Sequence, residues 1–372
     1  MPKSRNLTAN ILLLAITILI FLVFFEYAVR FLGIASGYGP TRYMYQKDEL
    51  LDYRMAPNFN GKFIRQEFEV DIATNSLGLR DVEYSAKTKN DFRILALGDS
   101  FTWGAYGTTL DQTFIKVLEK KSNENSNSLN YQVINAGVPG YGTDQQLVYL
   151  ENDGSEFKPD LVILNFFVGN DFLDNSQSGE LTVKDGFLFT NKIRLKMSER
   201  IRTFLLLKFH SYRIVEKGAI NIFGNFIQSR LRGKLQNEAY ESELFLKLAS
   251  NDIGDQFTKT KEILNDMNFY LNSRKIKFVV VIIPLDYQVD ENLRQSFIKN
   301  NYNQDQEFDI EQPQKIINDW ALQNNVDVID LLPELRALDD DLYWKLNAHF
   351  NVKGNEAVGA IIYGELIEKG LI

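Results

Sequence analysis

A serine stands at the end of the first strongly apolar strand-like segment after the N-terminal region. Residues 94–97 are apolar, and Gly98 and Asp99 separate them from Ser100. Such a segment is typical of a buried parallel strand, and its carboxyl end is where open α/β sheets bind ligands. A helical pattern over 112–121 follows. The predicted strand, turn and helix therefore have the arrangement of a nucleophile elbow, although the usual G-x-S-x-G motif is absent. The alternative is a serine that only caps the next helix.

Three further polar blocks follow predicted strands or precede the last helix. They are Asn135–Thr143, Phe167–Asp171 and Leu346–Gly354. Each is a weak signal alone, because glycine-rich turns after strands are common. Together with Gly98–Ser100, however, their order and placement resemble those of the SGNH (GDSL-like) hydrolase family. The resemblance covers residues 92–372 apart from one long insertion.

The resemblance implies a serine nucleophile, Ser100, with His349 as the base that takes its proton. A serine hydroxyl is a weak nucleophile near neutral pH and needs such a base within hydrogen-bond reach. The sequence contains only one other histidine, His210. By the same resemblance, the oxyanion of acyl transfer is stabilised by the backbone N–H groups of Ser100 and Gly140 and by the side-chain amide of Asn170.

The sequence departs from the family where the third triad member is expected. That residue is usually an Asp two or three positions before the His, and here those positions hold Asn347 and Leu346. An asparagine can orient the ring by hydrogen bonding, but it cannot stabilise an imidazolium with charge. The alternatives are a Ser–His dyad aided by Asn347, an acid recruited from residues 339–341 (Asp339, Asp340, Asp341), or lost hydrolysis.

The pattern of strands and helices predicts the elements that must position these residues. Short β-branched strands alternate with amphipathic helices after residue 91, which favours an α/β fold, a doubly wound parallel five-stranded sheet of SGNH or flavodoxin-like type. The strands are predicted at 94–97, 131–135, 161–167, 277–283 and 326–329. The helices include 144–150, 256–271, 313–323 and 352–367.

The N-terminal region predicts a membrane anchor. Residues 7–25 are nearly all apolar and uncharged, and as a helix they span roughly 28 Å, close to the hydrocarbon thickness of a bilayer. Lys3 and Arg5 precede this segment, so the short N-terminal tip is expected in the cytoplasm and the main domain outside the cytoplasmic membrane. A cleaved signal peptide, with small residues at 33–35, is the alternative.

The expected domains are a cytoplasmic tip and anchor over 1–33, a membrane-proximal connector with small strands over 34–90, and the SGNH-type domain over 91–372. In the connector, residues 63–72 alternate well enough for one strand, and no chemistry is visible. A helical insertion over 181–255 interrupts the main domain. Within it, residues 192–234 hold eleven Lys or Arg against two Glu, a net charge of +9. This stretch suits a membrane surface or an acidic partner, and the alternative is a helical lid over the main domain.

Composition excludes some functions and leaves others open. The net charge of −8 argues against nucleic acid as a partner, and without cysteine there is no disulfide or thiolate chemistry. No metal site or cofactor is expected. The sequence therefore predicts a membrane-anchored serine esterase or O-acyltransferase acting on an acyl ester of an envelope glycan. The alternatives are a degenerate glycan-binding or scaffolding subunit and a partner of a multispan acyltransferase.

Overall fold

A computed structural model describes most of the chain. The described residues are 3–34, 43–65, 67–126, 128–175, 181–184, 187–190, 197–216, 218–219, 242–246, 251–302 and 307–372. The basic stretch 192–234 is thus described only over 197–216 and 218–219. The rest of that prediction lies outside the described residues.

The strands run in short segments through the whole described chain. In order they are β1 (Tyr45–Asp48), β2 (Asp52–Met55), β3 (Asn60–Ile64), β4 (Glu69–Ala73), β5 (Asp91–Gly98), β6 (Asn130–Gly137), β7 (Leu161–Phe167), β8 (Leu181–Lys184), β9 (Phe187–Thr190), β10 (Lys277–Ile283) and β11 (Asp327–Asp330).

The helices lie mostly between the later strands. They are α1 (Lys3–Phe31), α2 (Ser100–Trp103), α3 (Phe114–Glu124), α4 (Thr143–Asn152), α5 (Asp171–Asp174), α6 (Met197–Lys208), α7 (Asn251–Ser273), α8 (Asp286–Val289), α9 (Glu291–Asn301), α10 (Gln312–Asn324), α11 (Leu331–Ala337) and α12 (Val352–Glu368). Residues 210–216 are also helical.

The central sheet is five-stranded and parallel, in the order β11-β10-β7-β5-β6. This confirms the predicted fold class. Gly98 at the end of β5 pairs with Gly137 on one side and with Asn165 on the other. The polar turns that follow β5, β6 and β7 therefore leave the sheet at the same edge.

Two apolar layers cover the two faces of the sheet. Alternate residues of β5 point into different layers: Leu95 and Leu97 pack with α4, α7 and α10, while Ile94 and Ala96 pack with α3, α11 and α12. Strands buried on both faces read as continuous apolar segments, which is why their positions were predictable from the sequence.

The connector differs from its prediction as one strand. Residues 63–72 belong to a hairpin in which β3 pairs with β4 antiparallel, and the Arg65 N–H donates to the Phe68 carbonyl at 2.9 Å across the turn. Phe63 and Phe68 lie on opposite sides of the turn and are both buried. Three consecutive polar residues, 65–67, interrupt the alternation, and the buried positions change there from odd to even numbers. This change of parity marks the reversal of the chain, which the prediction of 63–72 as one strand overlooked.

The end of the connector is anchored inside the α/β domain. The Arg80 side chain is only 2% exposed, and its guanidinium donates to the carbonyls of Trp103 and Thr108 at 3.0 and 2.6 Å. Asp81 pairs with Lys116 at 2.8 Å and accepts from the backbone N–H of Asn135 at 2.7 Å. Both charged side chains are buried, and residues of the α/β domain satisfy their hydrogen bonds. The end of the connector is therefore packed as part of the domain.

Helix α1 is the one described helix that could cross a membrane. Its segment Leu7–Phe31 has the length and apolar composition required, and none of its most apolar window is buried against the rest of the chain. Helices of this kind near an N-terminus serve as anchors or as signal sequences.

Candidate active site

The turn after β5 presents Ser100 at the first position of α2. The residue that caps this helix is Asp99, whose Oδ1 accepts from the backbone N–H of Phe101 at 2.8 Å. The alternative in which Ser100 serves only as the cap is therefore wrong. Asp99 itself is fully buried, and burial raises the pKa of its carboxyl to about 6.

Ser100 and His349 meet although 249 residues separate them in the sequence. The Ser100 Oγ lies 2.8 Å from the His349 Nε2. The His349 Nδ1 lies 3.1 Å from the backbone oxygen of Asn347. A carbonyl oxygen can only accept, so Nδ1 carries the proton and Nε2 of the neutral ring is free to accept from the serine hydroxyl. This is the tautomer that a general base requires.

Asn347 reaches the histidine through its backbone and not through its side chain. The sequence favours the side-chain amide as the orienting group, but its Oδ1 is buried without a hydrogen-bond partner. The tight turn before His349 explains this: Ala348 adopts φ +57°, and its N–H donates to the Trp344 carbonyl at 3.1 Å. A main-chain acceptor does not depend on the residue type at 347.

The upstream acids do not take the orienting position. In the described loop 339–349, all three aspartates are exposed. Asp340 pairs with Lys353 at 2.9 Å, and Asp341 lies 3.9 Å from Lys345. The acceptor at the His349 Nδ1 is the Asn347 carbonyl, so none of these three acids orients the ring.

Two aromatic rings enclose the imidazole. Tyr106 stacks on one side with a centroid distance of 3.6 Å and an interplanar angle of 8°, and Phe101 lies at 4.6 Å and 25°. The pKa of His349 is lowered to about 4, mainly by burial and further by the positive charge of Arg65, while the bond to the Asn347 carbonyl opposes the shift. The ring is therefore neutral near pH 7, ready to accept a proton but weakly basic.

The sequence signalled neither Tyr106 nor Arg65. Tyr106 follows Gly104-Ala105 in a segment without a motif, and Arg65 belongs to the connector, where no chemistry was visible. Burial raises the pKa of Tyr106 to about 12, and hydrogen bonding with Ser100 opposes the shift. Both residues are therefore part of the environment of the Ser100–His349 pair.

Gly140 lies in a turn that only a glycine suits. Its φ is +82°, and a Cβ there would come within 2.8 Å of the Tyr53 hydroxyl. Tyr53, from β2 of the connector, is fully buried and donates to the Pro139 carbonyl at 2.9 Å. The connector thus fixes the turn that carries this candidate oxyanion donor.

Asn170 contacts Asp99, which precedes Ser100 in the chain, and its side-chain amide is already engaged. Its Nδ2 donates to the Asp99 Oδ2 at 3.3 Å and to the Asp174 Oδ2 at 2.7 Å. Asp171, beside it, is also fully buried. The pKa of Asp174 is raised to about 7 by burial and by the charge of Asp99. For this amide to donate to a substrate oxyanion, the longer of its two bonds must be exchanged.

No metal centre is visible in the described part of the chain. None of its His, Cys, Asp and Glu residues form a group of three or more that could hold a metal ion. The carboxylates around Asn170 bond instead to amides and backbone N–H groups.

Solved structures similar to the chain include two bacterial enzymes. A lipase/acylhydrolase from Enterococcus faecalis is 17% identical, with 75% of this chain and 96% of that one covered and a TM-score of 0.41. A catalytic mutant of an acetylxylan esterase from Geobacillus stearothermophilus is 14% identical, with 74% and 94% covered and a TM-score of 0.41. No curated protein matches the sequence.

The family comparison covers the candidate catalytic and oxyanion-hole residues. The model of the GDSL-like lipase/acylhydrolase family matches residues 96–357, which include the turn at Ser100, the turn at Gly140, Asn170 and His349. The match extends over well more than half of the chain and spans the strands and helices that bring Ser100 and His349 together. The chain therefore belongs to the GDSL-like lipase/acylhydrolase family.

Proposed function

We propose that the chain is a membrane-anchored serine acyl-ester hydrolase or O-acyltransferase that acts outside the cytoplasm on an envelope glycan, through an acyl-Ser100 intermediate. Family membership supports acyl-ester chemistry. The single observation that carries the assignment to these residues is the 2.8 Å contact from the Ser100 Oγ to the His349 Nε2, with the other ring nitrogen donating to a carbonyl.

The first half-reaction follows from this geometry. As the Ser100 Oγ attacks the acyl carbon, its proton passes to the His349 Nε2, and the carbonyl π electrons move onto oxygen. The backbone N–H groups of Ser100 and Gly140 are the proposed donors to that oxyanion, together with Asn170 once it has released Asp99. Collapse expels the leaving group of the acyl donor, which takes the proton back from His349; in the hydrolase this leaving group is the deacylated sugar.

The second half-reaction decides between hydrolase and transferase. His349 removes a proton from water or from a sugar hydroxyl as that oxygen attacks the acyl-Ser100 carbon. Collapse breaks the bond from this carbon to the Ser100 Oγ, which takes the proton back from His349. The two activities share every step before this one. A site that excludes water favours transfer.

The imidazolium formed in both steps lacks a carboxylate partner at Nδ1. The dipole of the Asn347 carbonyl takes the place of the carboxylate at Nδ1, and the Tyr106 ring lies against one face of the imidazole. Cation–π contacts stabilise a cation by about 0.5–2 kcal/mol, less than a buried carboxylate would. We therefore expect a slow enzyme or one that transfers only a reactive acyl group.

A fluorophosphonate probe tests the proposal on the full chain. We expect covalent labelling at Ser100, located by peptide mass spectrometry, and hydrolysis of a small aryl acetate. Added glycan acceptor should divert acetyl groups from water to sugar if the chain is a transferase. An absence of both labelling and turnover in folded protein would reject the enzyme and favour the glycan-binding alternative.

A further inference from the structure

The stretch of α1 that is exposed on every side ends at residue 24, and beyond it one side of the helix is buried while Tyr27 and Phe31 stay exposed. Residues 7–24 are exposed, whereas Glu26 and Val29 are only 9% and 2% exposed. About 20 helical residues span the roughly 30 Å of a bilayer core. Counted from Leu7, the core therefore ends near Glu26, where the helix first meets the rest of the chain. That contact marks the level of the membrane surface.

Glu26 holds the insertion at this level. Its two carboxylate oxygens accept from the backbone N–H groups of His210 and Ser211 at 3.0 and 2.9 Å, which are the first residues of the helical segment 210–216. The Ser211 hydroxyl adds a bond of 2.6 Å. Arg30 pairs with Glu26 at 2.6 Å and donates to the Lys208 carbonyl at 2.7 Å. The end of α6 is thus tied to the end of the anchor.

One face of α6 carries large apolar side chains that the described chain does not cover. Met197, Ile201 and Phe204 are spaced by four and three residues, so they share a helix face, and they are 67%, 53% and 54% exposed. The other side of the helix is packed: Leu206 is buried, and Arg202 pairs with Glu216 at 2.7 Å. A lid over the main domain would instead bury its apolar face there.

We propose that α6 and residues 210–216 lie in the headgroup–acyl boundary of the bilayer, with Met197, Ile201 and Phe204 inserted among the lipids. The occupant of this face is lipid because the face sits where the anchor leaves the membrane. Val215 on the neighbouring segment 210–216 is also 61% exposed, and the +9 charge of residues 192–234 suits an anionic leaflet. This inference rests on the membrane anchoring in the proposed function, but not on the acyl chemistry.

The absence of cysteine makes a depth measurement direct. Single variants Ile201→Cys and Phe204→Cys of the full chain are labelled with bimane and reconstituted into vesicles whose lipids carry a nitroxide near the headgroup or deep in the acyl chain. The matched control is Leu322→Cys, an apolar position on α10 that is 83% exposed. A second control, Ile16→Cys, reports on the anchor. Nitroxides in both leaflets make the result independent of orientation.

The proposal expects fluorescence loss at 201 and 204, stronger with the shallow nitroxide, no loss at 322 and strong loss at 16 with the deep nitroxide. Quenching at 16 with none at 201 and 204 would overturn the proposal while the anchor stands, and would favour a lid or a protein partner on this face. Failure to quench at 16 as well would remove the membrane anchor from the proposed function together with this inference.

Discussion

The turns after β5 and β7 and the connector's hairpin β3–β4 reach the same site in different ways. Ser100 and Asn170 arrive on short turns, directly from strands whose ends are level in the sheet. The hairpin belongs to the connector and packs against the site from outside the sheet. Phe68 contacts Trp344 and Tyr106, with centroid distances of 5.4 and 6.1 Å. Glu67 accepts a hydrogen bond from the backbone N–H of Leu346 at 2.8 Å. The first region carries reacting groups, and the second holds the loop that carries His349.

The strand-end turns thus supply groups that act on the substrate, and the hairpin orients the loop that carries His349. A reacting group must be one particular residue type, so its loss should cost most of the rate. A packing residue acts through Tyr106 and the 342–350 loop, so its loss should cost less rate and more stability.

Removing a reacting group should have the largest effect. Ser100→Ala or His349→Gln should lower kcat/KM for an aryl acetate by about 10³-fold or more, because nucleophile and base act as one unit. Thermal unfolding should change little for Ser100→Ala, which removes one oxygen from a partly exposed side chain. If either variant keeps a tenth of the rate, the chemistry lies elsewhere.

Replacing the stacked ring should have the next largest effect. Tyr106→Leu removes the π face from the imidazolium, and we expect about 1–2 kcal/mol less transition-state stabilisation, or a roughly 5–30-fold lower kcat. Tyr106→Phe is the matched control because it keeps the ring and removes only the hydroxyl. Equal losses in both variants would show that the hydroxyl near Ser100, and not the ring face, carries the effect.

The hairpin should affect stability more than rate. Phe68→Ala should cost about 3–5 kcal/mol of unfolding free energy, because it opens a cavity between Phe63, Tyr106 and Trp344. It should also lower kcat by less than Tyr106→Leu does. The control is Ile72→Ala in the same hairpin, also buried, which should reduce stability without a comparable loss of kcat in the remaining folded protein. Equal kcat losses in the two would mean that general loosening explains the effect.

The sequence predicted the sheet and the strand-end residues for a physical reason. The strands are apolar on both faces, and residue type is decisive where Ser100 and His349 act. The connector was not predictable in the same way, because the apolar side chains of Phe63 and Phe68 only require burial, which many partners could provide. The Asn347 contact was missed for another reason: a main-chain acceptor leaves no trace in the residue type.

Asn347 should therefore be the least sensitive position in the site. Asn347→Ala keeps the backbone carbonyl that accepts from the His349 Nδ1, so we expect kcat/KM to change by no more than about 0.5 kcal/mol, or two- to three-fold. Loss to the level of His349→Gln would show that the side chain, and not the main chain, orients the ring.

Asn347→Asp turns the same position into a test of charge. With the His349 pKa at about 4, the wild-type acid limb of kcat/KM should fall near pH 4, because the base is protonated and inactive below its pKa. A carboxylate beside the ring favours the imidazolium and raises that pKa, so the limb should move to higher pH and the rate should be lost earlier on acidification. The plateau above the limb should rise, since a stronger base takes the serine proton more readily and its charge stabilises the imidazolium only as it forms. Profiles of kcat/KM for wild type, Asn347→Ala and Asn347→Asp measure both effects. An unshifted limb with an unchanged plateau would place the new carboxylate too far from the ring to act, and Asn347 would then contribute its carbonyl alone.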